Sequence, residues 1–394
     1  MRDRLIMFMK THPAIIMKLW AIGRSLMYMW SKFVSVQKKT ILFCSLGGRN
    51  FSDSPRAIYE EICKRKEFDD WKIIWAFVNP DCINIPRGEK VKVDSIPFFK
   101  ALLYSRVLVG NSGIDRGLGL KLKGHVRVET WHGAPFKKIG GEEHTATFAV
   151  KPAKYKGELD NDTIRCAQSS YDRDIYARVF HATKDSFLMC DLPRNDELFT
   201  YSNSKIEEIK RSLKIDCSKK VILYTPTYRE YLINDHHQTY MAPPIDLSKW
   251  EKTLGREFVL LIRTHYAVAA ALAIKDNNFV KNVSDYSSLN DLYAISDMMI
   301  SDYSSTFLDF SILKRPMFCF AYDLSEYEEK RGLYIDLAAE LPCSIDLNED
   351  DLLKHIQEVD INDASKKTAT FNAKYAPYAG HASEAVVDKI LTRL

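Results

Sequence analysis

The sequence predicts an α/β protein built from two doubly wound domains, and three observations support this fold class. Short apolar runs alternate with amphipathic segments in two successive series, which is typical of parallel strands joined by helices. A polar, turn-forming stretch, Pro193–Asn203, separates the two series and predicts a linker. The length of 394 residues also exceeds that of one ordinary domain.

The predicted strands are continuous apolar runs, as expected where helices cover both faces of a parallel sheet. In the first series they are Ile41–Ser45, Lys72–Phe77, Arg106–Asn111, His125–Thr130 and Thr163–Ala167. In the second series they are Val221–Thr225, Phe258–Arg263, Phe279–Val283, Asp297–Ser301 and Met317–Ala321. Helices are predicted between strands at Ser54–Lys66, Tyr171–Phe180, Ser204–Leu213 and Ser288–Ile295. The first domain is therefore placed at residues 41–200 and the second at residues 201–394.

Residues 1–40 differ from the rest of the chain. They hold eight basic residues against one acid, although the formal charge of the whole chain is only +4. Polar residues recur every seven positions, at Thr11, Lys18, Ser25 and Lys32, among many aromatic, Met and Leu residues. This pattern predicts an amphipathic helix lying in the interface of an anionic membrane, since no uncharged run is long enough to span a bilayer. The alternative is a helix packed on the protein's own core.

Several kinds of function are not indicated by the sequence. The low overall charge does not predict nucleic-acid binding. Eight widely spaced cysteines without a C-x-x-C pair argue against a disulfide scaffold or a zinc ribbon and favour reduced thiols in a cytosolic protein. The G-x-x-x-x-G-K-[ST] phosphate loop, the dinucleotide fingerprint, H-E-x-x-H and G-x-S-x-G are all missing. No obligate metal site is evident.

Four polar clusters follow predicted strands, at the edge where open α/β sheets bind ligands. The first contains His132, with Lys137 and Lys138 close behind it. It predicts a general base near an anionic substrate. The alternative is a turn histidine with surface lysines.

The second and third clusters end strands of the second domain. Thr225 and Arg229 belong to a Thr-Pro-Thr-Tyr-Arg stretch, in which the arginine either holds a phosphate or pairs with an acid. Arg263 and His265 alternate along the next strand, so they project to one side of its tip. Two cationic side chains ending an apolar strand favour a binding function over packing.

The fourth cluster is Ser304, Ser305 and Thr306, which follow Asp302 and open a predicted helix. Hydroxyls and backbone amides at a helix N-terminus favour a phosphate site, whereas simple N-capping is the alternative. A similar serine stretch, Ser284–Ser288, is interpreted as the cap of a structural helix.

Together these clusters resemble the CDP-glycerol glycerophosphotransferases, which make the poly(alditol phosphate) chains of wall teichoic acid and some capsules. The matching stretches are Phe43–Asn50, Glu129–Gly140, Leu192–Asp196, Leu223–Arg229, Ile262–His265, Ile295–Ser305, Phe320–Tyr327 and Arg331–Leu337. The chain departs from the family pattern at Asp191-Leu192, where a glycine usually precedes Pro-Arg-Asn-Asp, at Tyr266 and at Ala379.

The resemblance implies a GT-B fold, with two Rossmann-like domains facing a cleft and a last helix that packs back on the first domain. It implies peripheral attachment to the cytoplasmic face of the bacterial membrane. It also implies CDP-glycerol as donor and a prenyl-diphosphate-linked disaccharide or growing polymer as acceptor. The family's histidine pair corresponds to His132 and His265.

In the mechanism that we expect, His132 accepts the proton of the acceptor hydroxyl. Arg263, His265 and the Ser304–Thr306 stretch neutralise the donor pyrophosphate as CMP leaves, and a divalent cation could assist them. Asp302 either orients a histidine or holds the serine loop. Alternatives are a ribitol-phosphate transferase or polymerase of the same family, a GT-B nucleotide-sugar glycosyltransferase and an inactive membrane-bound scaffold.

Overall fold

The computed structural model describes residues 13–120, 123–144, 163–229, 242–264, 272 and 274–394. Within these ranges, the first domain holds a parallel sheet with the strand order β3-β2-β1-β4-β5-β6-β7. Its strands are β1 (Gln37–Cys44), β2 (Lys72–Phe77), β3 (Glu89–Lys92), β4 (Ser105–Gly110), β5 (Val126–Glu129), β6 (Ile164–Ala167) and β7 (Phe187–Met189). The order reverses between β1 and β4, which is where a doubly wound sheet opens a ligand crevice.

The second domain repeats this plan with the order β10-β9-β8-β11-β12-β13, again parallel throughout the described strands. Its strands are β8 (Lys220–Tyr224), β9 (Phe258–Ile262), β10 (Val280–Asn282), β11 (Met298–Ser301), β12 (Met317–Phe320) and β13 (Ile345–Asp346). The order reverses between β8 and β11. The two parallel sheets confirm the expected α/β class.

Helices cover the sheets on both faces, and many begin at a residue whose side chain caps the first turn. The described helices are α1 (Pro13–Ser31), α2 (Asp53–Lys64), α3 (Ile96–Tyr104), α4 (Ser170–Val179), α5 (Asn203–Ser212), α6 (Leu247–Leu254), α7 (Leu289–Ile295), α8 (Thr306–Ser311), α9 (Leu324–Lys330), α10 (Leu337–Glu340), α11 (Glu349–Glu358), α12 (Ile361–Tyr375) and α13 (Ala382–Leu391). Ser288 caps α7 by accepting from the backbone N–H of Asp291 at 3.1 Å, which confirms the structural role predicted for that serine stretch.

Ten of these strands lie where the sequence predicts them, because most of them are apolar runs buried on both faces of a sheet. The three that the sequence analysis missed are β3, β7 and β13. β3 lies at the sheet edge with exposed Glu89, Lys90 and Lys92, and the other two are only three and two residues long. Short or charged edge strands carry too little apolar periodicity to be recognised.

The chain crosses between the domains twice. A short 3-10 helix, Pro193–Phe199, makes the first crossing, with Pro193, Asn195 and Leu198 buried. At the end of the chain, α13 returns to the first domain, where Val386, Val387 and Ile390 join the core that covers β1 and β2.

Helix α1 contacts the first domain with one side and solvent with the other. On the inner side Met27 is buried, and the Arg24 Nε donates to the carbonyl oxygen of Leu118 at 2.6 Å. Large apolar side chains lie exposed on the outer side at spacings of three and four residues: Ile15, Leu19, Ile22, Leu26, Met29 and Phe33. None of the described helices is long and apolar enough to cross a membrane.

Candidate active site

His132 lies just after β5, at the carboxyl edge of the first sheet. Its Nδ1 is 2.8 Å from the carbonyl oxygen of Asn111, which follows β4. Because a carbonyl can only accept, Nδ1 carries the proton and Nε2 keeps a lone pair. Desolvation lowers the pKa of His132, against the opposing effects of the Asn111 hydrogen bond and the Asp53 carboxylate. The ring is therefore neutral near pH 7 and able to accept a proton.

The backbone around His132 brings the two domains close together. Trp131 adopts a left-handed conformation, with φ of +59°, and its ring stacks on the imidazole at 4.5 Å between centroids. Gly133 follows with φ of +152°, and a Cβ atom there would collide with the Oγ of Ser305 in the second domain. Glycine at this position therefore lets the serine loop approach the histidine.

Arg194 contacts both the His132 segment and the second domain, although no role in the site was predicted for it from the sequence. Its Nη1 donates to the His132 carbonyl oxygen at 3.0 Å and to Asp53 Oδ2 at 2.9 Å. Its Nη2 donates to Asp309 Oδ2, in the second domain, at 2.8 Å. The only signal in the sequence was the Pro-Arg-Asn-Asp motif at the crossing between the domains. This motif supported the family resemblance but did not indicate that Arg194 contacts His132 or Asp309.

Arg229, which the sequence offered as a phosphate ligand or an ion-pair partner, is buried between two acids. Its guanidinium donates to Asp302 Oδ2 at 2.9 Å and to both oxygens of Asp323 at 2.7 and 2.8 Å. Burial disfavours the charged form, but these carboxylates raise the pKa of Arg229. The structure therefore shows the ion pair, and phosphate binding by Arg229 stays a prediction.

Asp302 and Thr225 link the loops after β8 and β11. Asp302 accepts from the backbone N–H of Thr227 at 3.0 Å and of Tyr303 at 2.7 Å. Thr225 donates its hydroxyl to Ser301 Oγ at 3.1 Å. Both side chains thus hold the loops on which the predicted phosphate ligands lie. The described contacts of Asp302 include no histidine.

Arg263 lies immediately after β9 in surroundings unlike those of Arg229. The guanidinium donates to the carbonyl oxygen of Tyr286, and within the described residues no carboxylate forms a salt bridge with it. Burial has the largest effect on the pKa of Arg263 and lowers it, against the opposing effects of Tyr293 and Asp285. A partly buried cation that forms no salt bridge with any described carboxylate favours binding of an anion. His265, the second predicted catalytic residue, lies outside the described residues.

Ser304, Ser305 and Thr306 are half-buried at the start of α8. Ser304 Oγ accepts from the backbone N–H of Thr306 at 3.3 Å, as in ordinary capping, whereas the Ser305 side chain makes no capping bond. The Ser305 hydroxyl instead lies against Gly133. The structure therefore brings this cluster to the side of the second domain that faces His132.

Lys137 and Lys138 lie in the contact between the domains. Lys137 pairs with Leu333 in an isolated antiparallel bridge, and the Lys138 backbone N–H donates to the Gly332 carbonyl oxygen at 3.0 Å. The Lys138 amine donates to His144 Nε2 at 2.8 Å. Across the ranges that the structure describes, no group of three His, Cys, Asp or Glu side chains is arranged to hold a metal ion.

The fold and this site define a two-domain α/β protein whose domains meet where both sheets present their carboxyl edges. His132 lies on one side, and Arg263, which forms no salt bridge within the described residues, lies on the other. More specifically, the chain belongs to the CDP-glycerol:poly(glycerophosphate) glycerophosphotransferase family, whose model matches residues 26–392.

Relatives and solved structures agree with this family. A teichoic acid glycerol-phosphate transferase of Staphylococcus aureus is 31% identical over 90% of this chain and 93% of its own length. A teichoic acid poly(glycerol phosphate) polymerase of Staphylococcus epidermidis is 34% identical over 86% of this chain, but the match covers only 48% of that polymerase. The chain thus spans about half the length of that relative. A structure of the wall teichoic acid polymerase TagF superposes with a TM-score of 0.83 at 29% identity, covering 100% of this chain and 98% of that one.

Proposed function

We propose that this chain transfers glycerol phosphate from CDP-glycerol to a hydroxyl group of a prenyl-diphosphate-linked acceptor in teichoic acid or capsule synthesis, with release of CMP. The observation that carries this proposal is the geometry of His132. Its Nδ1 is held by the Asn111 carbonyl, which leaves Nε2 unprotonated where the first domain meets the serine loop of the second. Membership of the glycerophosphotransferase family supports the choice of donor.

In the proposed reaction, the acceptor oxygen attacks the β-phosphorus of CDP-glycerol. A new P–O bond forms to the acceptor, the bond from the β-phosphorus to the bridging oxygen breaks, and CMP leaves with that oxygen. His132 Nε2 takes the hydroxyl proton as the oxygen attacks. This assignment uses the lowered pKa of His132, because a neutral imidazole is the form that accepts a proton.

The second domain supplies positive charge to the donor in this proposal. Arg263 offers a guanidinium whose charge no described carboxylate neutralises, and the Ser304–Thr306 stretch offers hydroxyl and amide donors. Charge develops on the leaving phosphate in the transition state, so fixed donors there lower the barrier more than they strengthen ground-state binding. His265 is proposed to act beside Arg263 on the strength of the family resemblance.

The test compares two histidines of the first domain. His125 also holds a backbone carbonyl through Nδ1, that of Ser105 at 2.8 Å, but it precedes β5 and therefore lies at the opposite edge of the sheet. We expect His132→Ala to lower CMP release from CDP-glycerol by about 100-fold or more, the scale of a lost general base. His125→Gln retains the rate, and both variants still bind CDP-glycerol in calorimetry. An unchanged rate in His132→Ala would remove this residue from the mechanism.

The same assay separates the alternatives. Wild-type protein receives CDP-glycerol or CDP-ribitol with a prenyl-diphosphate-linked acceptor, and mass spectrometry sizes the product. A phosphodiester formed only from CDP-ribitol would assign the ribitol activity, and a glycosidic product from a nucleotide sugar would assign a glycosyltransferase. Addition of one unit or of many distinguishes a primase from a polymerase.

We also propose that α1 attaches the enzyme to the cytoplasmic face of the membrane. Ile22, Leu26 and Met29 are 57%, 56% and 53% exposed on its outer side, with Lys18 and Lys32 exposed beside them. An apolar stripe flanked by cations suits an anionic lipid interface. The inner side packs on the first domain, so the helix contributes to that domain's core and presents an apolar surface on its outer side.

Substitution of the outer side tests this attachment without disturbing the core. We expect Ile22→Asp with Leu26→Asp to abolish sedimentation with anionic vesicles while the melting temperature stays unchanged. Deletion of the whole segment would be less informative, because the inner side would be lost with it. Vesicle binding that persists in the doubly substituted protein would overturn the proposal. A dimer that sedimentation velocity detects in wild-type protein and not in the doubly substituted protein would overturn it too, because the apolar stripe would then be a dimer interface.

A further inference from the structure

Arg194 lies where the crossing segment, the first domain and the second domain meet. We propose that Arg194 is a positioning residue, which sets His132 at the correct distance from the serine loop across the cleft. The inference rests on the proposed function, because the distance matters only if His132 and the loop act on one substrate. Arg194 itself is not assigned a contact with substrate.

On the first-domain side, Arg194 contacts residues at or next to two strained positions of the backbone. Its Nη1 binds the His132 carbonyl oxygen and Asp53 Oδ2. Asp53, the first residue of α2, has φ of +59°, and Trp131 directly before His132 has the same value. Such conformations at non-glycine residues are strained and persist only where surrounding contacts impose them. Arg194 supplies contacts at both places.

On the second-domain side, the crossing segment holds both oxygens of Asp309. Arg194 Nη2 donates to Oδ2 at 2.8 Å, and Asn195 Nδ2 donates to Oδ1 at 3.0 Å. Asp309 lies in α8, the helix that follows Ser304 and Ser305. The side chains of Arg194, Asp53 and Asp309 are 15%, 13% and 3% exposed, so water screens these pairs little.

The shape of the guanidinium makes this role specific to arginine. One planar group donates in different directions to a carbonyl and to two carboxylates, which a lysine ammonium on a flexible stem does not reproduce. A small displacement of the base from the reacting hydroxyl reduces turnover more than donor binding, because the base acts in the transition state. The role therefore predicts a change in kcat with little change in KM.

The first experiment uses Arg194→Lys, which keeps the positive charge and removes the planar guanidinium group. We expect kcat to fall by about 10- to 100-fold while KM for CDP-glycerol stays within about 2-fold. Arg315→Lys is the matched control, since Arg315 donates to the carbonyl oxygens of Ala294 and Ser296 before β11, at the other edge of the second sheet. That variant retains wild-type kcat.

A double variant distinguishes a positioning role of Arg194 from a general effect on the stability of the protein. If Arg194 acts through His132, then Arg194→Lys combined with His132→Ala is no slower than His132→Ala alone. If the lysine variant lowers the rate by the same factor in both backgrounds, or lowers the folded fraction enough to explain the loss, the positioning role is wrong.

One readout does not depend on the reaction. The charged groups that act on the His132 imidazole are Asp53, Arg194 and Lys137. Removal of the Arg194 cation in Arg194→Gln is expected to raise the pKa of His132 in an NMR titration, whereas Arg194→Lys leaves it near the wild-type value. If wild-type protein forms no glycerol-phosphate product, the proposed function fails. An unshifted His132 pKa in Arg194→Gln would instead overturn the coupling of Arg194 to His132.

Discussion

Arg229 and Arg263 follow neighbouring strands of the second sheet, yet their surroundings are opposite. Arg229 is enclosed by Asp302 and Asp323, and its guanidinium lies over the rings of Tyr303 and Tyr327 at 4.8 and 5.1 Å. Arg263 has a carbonyl oxygen as its described side-chain partner and a pKa lowered by burial. The difference teaches that two arginines at neighbouring strand ends can differ in whether acidic side chains already neutralise them, which the residue type alone does not reveal.

The largest effect is expected for substitution of Arg229, which is enclosed by Asp302 and Asp323. Arg229→Met leaves the two carboxylates of Asp302 and Asp323 buried without their cation, and we expect the free energy of unfolding to fall by about 3–5 kcal/mol. Urea denaturation measures this loss. A second change, Asp323→Asn in the same protein, should recover part of it. A variant as stable as wild type would break the comparison, because Arg229 would then be no better paired than Arg263.

The next largest effect is expected for Arg263, which forms no salt bridge within the described residues. Arg263→Gln should weaken CDP-glycerol binding by about 10- to 100-fold, the value of a charge-assisted hydrogen bond to phosphate. The free energy of unfolding should stay the same or rise, since a desolvated charge is removed. Calorimetry measures the affinity for CDP-glycerol, and urea denaturation of the same sample measures the free energy of unfolding. Wild-type affinity with reduced stability would mean that Arg263 is structural.

The smallest effect is the response to salt. Raising the ionic strength from about 0.1 M to 1 M shortens the screening length from about 10 Å to about 3 Å. Donor binding by wild-type protein should weaken several-fold, and this dependence should shrink in Arg263→Gln. The destabilisation caused by Arg229→Met should change little, because its partners are buried. Equal salt responses of the two arginines would contradict the contrast between them.

Much of the fold could be predicted because its strands are buried on both faces. β2 was placed at its observed bounds, Lys72–Phe77, since five of its six residues are buried and apolar. β3 was missed because it lies at the sheet edge with charged, exposed side chains. The periodicity of a sequence reports burial, so an element that buries little leaves little signal.

The site could be predicted only in part, because its contacts join distant positions. His132 and Ser305 were chosen for their residue types beside strand ends, and the structure brings their segments together across Gly133. The partners of Arg229 lie 73 and 94 residues away, so the sequence left its two roles open. The contacts of Arg194 with His132 and Asp309 are likewise long-range.

The return of α13 to the first domain also affects how the protein is made. Ala382, Val386, Val387 and Ile390 of α13 complete a core whose other buried members come from the first half of the chain. On the ribosome, most of the first domain's core is therefore synthesised long before α13 emerges. Domains usually fold in order from the N-terminus. Here the nascent first domain lacks the buried residues of α13 until late in synthesis. A chain that stops shortly before residue 382 is therefore expected to expose the apolar surface that α13 covers to chaperones and proteases.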